Sequence, residues 1–140
     1  MKKSFLILTF LCSLFSLSIY AQCGGSATTA YKPTSVGIVI YSNDVETVWN
    51  AMRFANYSKT QGDTVSIFLL GKGVEVDFLV KSDENIKEQT ESFLEGGTTS
   101  ILGCGTCLQS RKIDQPQVCK FSSMADLYNM IRKSKIVLTF

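Results

Sequence analysis

A chain of 140 residues with 14 Lys+Arg, 12 Asp+Glu and no histidine has room for one domain with a true hydrophobic core. The lack of histidine excludes Ser-His and Cys-His catalysis, a histidine general base and histidine-ligated metals. Charge is near balance, and no cluster of excess Lys or Arg offers a nucleic-acid footprint.

Residues 1–21 read as a secretory signal peptide. Lys2 and Lys3 form a positive n-region, Phe5 to Leu17 is apolar, and Ile19-Tyr20-Ala21 offers a cleavage site that would leave Gln22 first. The competing reading is an uncleaved anchor, for which the apolar stretch is near the lower length limit. A lipidation box at Cys23 is a poorer fit, because Gln22 stands where a small residue is wanted. Cleavage removes Lys2, Lys3 and Cys12, leaving 12 basic against 12 acidic residues. The expected location is periplasmic or secreted, with no stable membrane insertion after cleavage. Oxidation is then the default for the remaining Cys23, Cys104, Cys107 and Cys119. Residues 22–34 are small and polar and read as a flexible leader, which puts the folded domain at 35–140.

Val36-Gly37-Ile38-Val39-Ile40-Tyr41 is a continuous apolar run, as expected of a strand buried on both faces. Asn43 with Glu46 resembles a capping box. Val45, Val48, Trp49, Met52 and Ala55 then follow as the apolar stripe of a helix that ends at Gly62. Thr64 to Leu70 is the second strand. Gly71-Lys72-Gly73 lacks the spacing of a phosphate-binding loop and reads as a tight turn at the sheet edge that also holds the cysteines. Val74 to Val80 fits neither a helical nor a strand period. Ser82 and Asp83 open a helix with Ile86, Thr90, Phe93 and Leu94 inside, stopped by Gly96-Gly97. A third strand is expected over Thr98 to Leu102. Residues 113–121 read as a loop around Pro116. Ser123 and Asp126 cap a helix with Met124, Leu127, Tyr128 and Ile131 as its buried stripe, and Lys135 to Phe140 is a last strand. Such alternation predicts βαβ crossovers and a mostly parallel sheet with helices on both faces.

The segment Gly103-Cys104-Gly105-Thr106-Cys107-Leu108-Gln109-Ser110-Arg111 joins the third strand to an expected helix start. Helix starts present unpaired N–H groups that favour a thiolate, and strand ends are where open α/β sheets keep their sites. Arg111 is four residues beyond Cys107, on the same face of a helix. It could stabilise a thiolate or persulfide, or serve only as a surface salt bridge. Three readings compete. The thiols could form a reversible disulfide, as in thioredoxin-like proteins. Four cysteines could bind zinc, although only one close pair exists. Cys104 could carry sulfur as a persulfide. Spacing alone does not separate the first from the third, and no cofactor or metal site is expected.

Across residues 36–140 the chain resembles the DsrE/DsrF-like (sulfur-relay, TusD-like) family. The matching features are the Val36–Tyr41 strand, Phe68-Leu69-Leu70-Gly71-Lys72-Gly73-Val74, the Gly103 to Leu108 motif with Arg111, and Asp126-Leu127-Tyr128 through Val137-Leu138-Thr139-Phe140. The resemblance implies a small flavodoxin-like α/β domain that forms oligomers, commonly trimers or hexamers. In relay members a cysteine at this strand end accepts and donates persulfide sulfur, and Cys104 falls there. Cys107 matches a subgroup with a second cysteine. Relay members are cytoplasmic, so an exported version leaves its sulfur donor and acceptor unnamed. The expected function is periplasmic sulfur handling, with Cys104 as nucleophile and carrier, Cys107 as resolving thiol and Arg111 as supporting cation. The alternatives are a thiol–disulfide redox or sensor protein using the same pair, and a non-catalytic oligomeric binding protein with a structural disulfide.

Overall fold

The computed structural model describes residues 31–97 and 99–140. The expected signal peptide and most of the leader lie outside the described residues. Five strands form one sheet: β1 (Ser35–Ile40), β2 (Thr64–Leu69), β3 (Ile101–Cys104), β4 (Lys120–Ser122) and β5 (Ile136–Thr139). Every pairing is parallel, in the order β4-β3-β2-β1-β5. The helices are α1 (Val45–Thr60), α2 (Val76–Ser82), α3 (Glu84–Leu94), α4 (Gly105–Ser110) and α5 (Met124–Lys133), with a 3-10 turn at Gly71–Glu75 ahead of α2.

The strand order fixes which face each helix covers. From β1 to β4 the chain steps one strand over each time, and right-handed crossovers keep the intervening helices on one face. There Val48, Met52 and Ala55 of α1 and Ile86 and Phe93 of α3 pack on Val36, Ile38 and Ile40 of β1 and on Ile67 and Leu69 of β2. The connection from β4 to β5 returns across the sheet and puts α5 on the opposite face. Met130 and Leu127 of α5 meet Val39, Phe68 and Cys104 there. Side chains alternate along each strand, so Phe68 faces α5 while Ile67 and Leu69 face α1 and α3. Phe68 is fully buried, which stabilises the fold by about 1.5–3 kcal/mol relative to an exposed ring.

Several elements differ from the sequence expectations. The third strand runs Ile101–Cys104 instead of Thr98 to Leu102. Its bounds are set by pairing of Ile67, Phe68 and Leu69 with Ile101, Leu102 and Gly103, while the Thr99 hydroxyl donates to the Phe93 carbonyl at 2.6 Å and belongs to the end of α3. The ambiguous 74–80 stretch is a 3-10 turn running into α2. The loop expected over 113–121 ends in a fourth strand, β4, whose three residues Lys-Phe-Ser carry no apolar run because they form a sheet edge. The buried Asp77 carboxylate on α2 steers the chain into that edge, accepting the N–H groups of Gln117 at 2.6 Å and Val118 at 2.8 Å.

Two helices also depart in detail. Asp44, one residue later than expected, caps α1 by accepting the Thr47 amide at 2.9 Å. The α5 capping box forms as expected, but Met124, Tyr128 and Ile131 are exposed. Leu127 and Met130 alone turn toward the sheet, since a single helix on that face contacts it along one side only.

Candidate functional site at the end of the third strand

β3 ends at Cys104, and α4 starts at the next residue, so Cys104 is the helix N-cap and Cys107 lies in the first turn. Cys104 pairs in register with Ser122, the last residue of β4. From these adjacent strands the chain leaves toward opposite faces: α4 sends Leu108 into the α1/α3 core, and α5 covers the other side. The thiols therefore sit at a topological switch point, at the carboxyl ends of the strands, where open parallel sheets hold their sites.

Cys104, Cys107 and Cys119 are free thiols. Cys104 is only 4% exposed, whereas Cys107 is half-buried. The two lie three residues apart across the first turn of α4, and Cys107 packs against the cluster that contains Cys104. The Gly71 amide donates to Cys107 Sγ at 3.3 Å. Two features aim that amide. Gly71 takes φ +58°, a left-handed conformation that suits glycine. Gly73 lies so close to the Ile40 carbonyl that any side chain there would collide with it. Burial, and then the neighbouring Cys104 sulfur, push the Cys107 thiol up from its ordinary value; the Gly71 amide and the Arg111 charge oppose this.

Arg111 closes the far side of α4. Its Nε donates to Glu75 Oε1 at 2.7 Å, and its NH1 donates to the Cys107 carbonyl at 3.3 Å and to Ser110 Oγ at 3.2 Å. Glu75 Oε2 accepts from Asn43 Nδ2 at 2.8 Å. The Arg111 hydrogen bond, and then that from Asn43, hold the Glu75 carboxyl below its usual range. Of the two roles considered for Arg111, the geometry gives the ion pair with Glu75, and the guanidinium reaches Cys107 at its carbonyl. The Asn43–Glu75–Arg111 chain fastens the segment after β1, the 3-10 turn and the end of α4 to one another.

Cys119 is separate from the pair. It is 6% exposed and fills the space left by Gly103, where an added Cβ would lie 2.5 Å from Cys119 Sγ. Burial, with the Asp77 charge, pushes its thiol up to about 11.

Sequence reasoning placed the Gly71 turn at the cysteine edge but missed its amide as a sulfur partner, and it missed Glu75 and Asn43. The one signal for Glu75 was an acid in a strand-to-helix turn. Among the described residues no group of three or more Cys, Asp or Glu is placed to hold a metal. A cavity of about 470 Å³ lies elsewhere, under α5, lined by Ser35, Ser66, Ser100 and Lys133 among others.

This fold and site define a small parallel α/β domain with a thiol pair at its switch point. The sequence profile of the DsrE/DsrF-like family matches residues 34–140, and the chain belongs to that family. It is 30% identical over 104 residues to the uncharacterized protein MK0008 of Methanopyrus kandleri, an alignment covering 68% of this chain and 83% of the relative. The crystal structure of the ychN protein from E. coli superposes with a TM-score of 0.64 at 19% identity, covering 78% of this chain and 100% of that one. The family is one of sulfur-relay-type proteins.

Proposed function

We propose that the Cys104–Cys107 pair handles sulfane sulfur, with Cys104 accepting it as a persulfide and giving it up again. The observation that carries this reading is the placement of a shielded thiol at a strand end with a second thiol packed beside it in the first turn of the following helix. Shielding suits a persulfide, which is lost by reaction with oxidants and stray thiols in open solution. Intact-mass spectrometry of the reduced protein after treatment with inorganic polysulfide tests it. The expected result is a gain of one sulfur mass that maps to Cys104 and disappears in Cys104→Ser. No gain on any thiol overturns the reading.

The same packing of Cys107 beside Cys104 favours a second reading, thiol–disulfide exchange. A Cys104–Cys107 potential in the range of exchange proteins, about −270 to −120 mV, with no sulfur uptake would select it. A much lower potential would mark a structural disulfide instead.

We also propose export and self-association. Export rests on the residue pattern of positions 1–21, and a mature protein beginning at Gln22 is the mass expected from it. Self-association into a trimer or hexamer accords with the exposed Met124, Tyr128 and Ile131 on α5 and Ile136 and Val137 on edge strand β5.

A further inference from the structure

We propose that the thiol pair discharges sulfane sulfur as sulfide, so that the protein reduces small persulfides and polysulfides and does not store their sulfur for delivery to a large acceptor. The inference rests on the reading that Cys104 accepts sulfur.

The argument is one of access. Cys104 is 4% exposed. Inorganic polysulfide or the persulfide of a small thiol can slip into such a site, whereas a folded acceptor protein would have to displace the surrounding chain. Cys107, by contrast, already adjoins Cys104 on the same helical turn. An intramolecular nucleophile held in place outcompetes one drawn from solution by orders of magnitude. The Gly71 amide at 3.3 Å from Cys107 Sγ holds that sulfur in position and partly offsets the burial that disfavours its anion, the form that attacks. Whatever sulfur Cys104 receives therefore meets Cys107 first.

The chemistry balances in three steps. The Cys104 thiolate attacks the outer sulfur of a persulfide R–S–SH, forming Cys104–S–SH and releasing R–S⁻. Cys107, having lost its proton to solvent, attacks the inner Cys104 sulfur; the Cys104–Cys107 disulfide forms and HS⁻ leaves. The sulfane sulfur gains two electrons, and the two thiols lose them. A dithiol, either a small molecule or an exchange protein, then reduces the disulfide and restores both thiols. The protein must accordingly work beside a reaction that supplies dithiol reductant. In an oxidising compartment this is a dedicated electron delivery route, since the bulk medium does not provide one.

The test is a single turnover without external reductant. Reduced full-length protein, freed of reductant, is mixed with a small-thiol persulfide, and sulfide is followed with a selective electrode while thiols are mapped by peptide mass spectrometry. Wild type is expected to release about one sulfide per chain beyond the donor's own background, with a disulfide mapping to Cys104–Cys107. Cys107→Ser is expected to hold a stable persulfide on Cys104 and release sulfide only when an external dithiol is added. If wild type instead keeps a stable Cys104 persulfide with Cys107 still reduced, the inference falls while sulfur acceptance stands. If neither wild type nor Cys107→Ser takes up sulfur, the carrier reading falls and this one with it.

Discussion

The amide of Gly71 donates to the sulfur of Cys107 at 3.3 Å, which joins the turn after β2 to the helix after β3. The turn can reach across because Gly71 sits at φ +58°. Replacing it with alanine strains the backbone by about 1 kcal/mol and weakens the one hydrogen bond that lowers the Cys107 pKa. Gly71→Ala is therefore expected to alkylate at Cys107 with its pH profile moved to higher pH. Iodoacetamide rates read residue by residue by mass spectrometry check this; an unmoved profile would show that the amide does not act on the sulfur.

Gly103 and Cys119 are a packed pair. A methyl at Gly103 would meet Cys119 Sγ at 2.5 Å and Leu108 Cδ1 at 3.2 Å. Gly103→Ala should cost about 1–3 kcal/mol, the usual range for overpacking. Adding Cys119→Ala removes the sulfur and should recover part of the loss, so the two changes are non-additive. Urea unfolding of the two single variants and the double variant measures the coupling.

The Glu75–Arg111 ion pair predicts a pH dependence. The folded Glu75 pKa lies below its ordinary 4.5, so its contribution to stability is present in full above that value. It is lost as pH falls through the depressed folded value, where both states become protonated. The stability gap between wild type and Glu75→Gln should thus be widest at neutral pH and close in acid. Both side chains are roughly a quarter exposed, at 28% and 27%, which limits the gap to about 1 kcal/mol. Urea midpoints across an acid pH series would show it; a gap that widened in acid would contradict the assignment.

The outward α5 stripe predicts an effect on assembly. A charge at Tyr128, which is 63% exposed, touches no core and should leave the folded domain intact. If the stripe is an interface between copies, Tyr128→Glu shifts the particle to smaller mass in multi-angle light scattering with an unchanged circular dichroism spectrum. An unchanged mass would place any interface elsewhere.

Most of the sheet was legible because buried parallel strands are continuous apolar runs, and Val36–Ile40 and Val65–Leu69 are such runs. The cysteine edge was legible for the same reason: placing the third strand puts Cys104 at its carboxyl end. β4 was not legible. Its position depends on Asp77, some forty residues earlier, gripping the amides of Gln117 and Val118, and nothing in Lys-Phe-Ser announces a strand. The burial of α5 failed for a different reason. Periodicity reports that a helix has an apolar side but not which partner covers it, and among the described residues Met124, Tyr128 and Ile131 stay exposed. The Gly71–Cys107 contact was hidden because it joins positions separated by 36 residues, through a backbone atom that every residue but proline carries.

The pairing of β5 with β1 has a practical consequence for anyone who would tether something to this domain. Val36 pairs with Ile136 and Val39 with Thr139, and the two strands are parallel. The chain therefore enters the sheet at one rim and leaves it at the other, where Phe140 exchanges backbone hydrogen bonds with Val39 and Tyr41 at 2.9 and 2.8 Å. That exit rim is the one that carries the thiols. A fluorescent reporter or reductase module fused after Phe140 would start from the rim that carries Cys107, three strands along from β3, whereas one inserted ahead of Ser35 would start from the opposite rim.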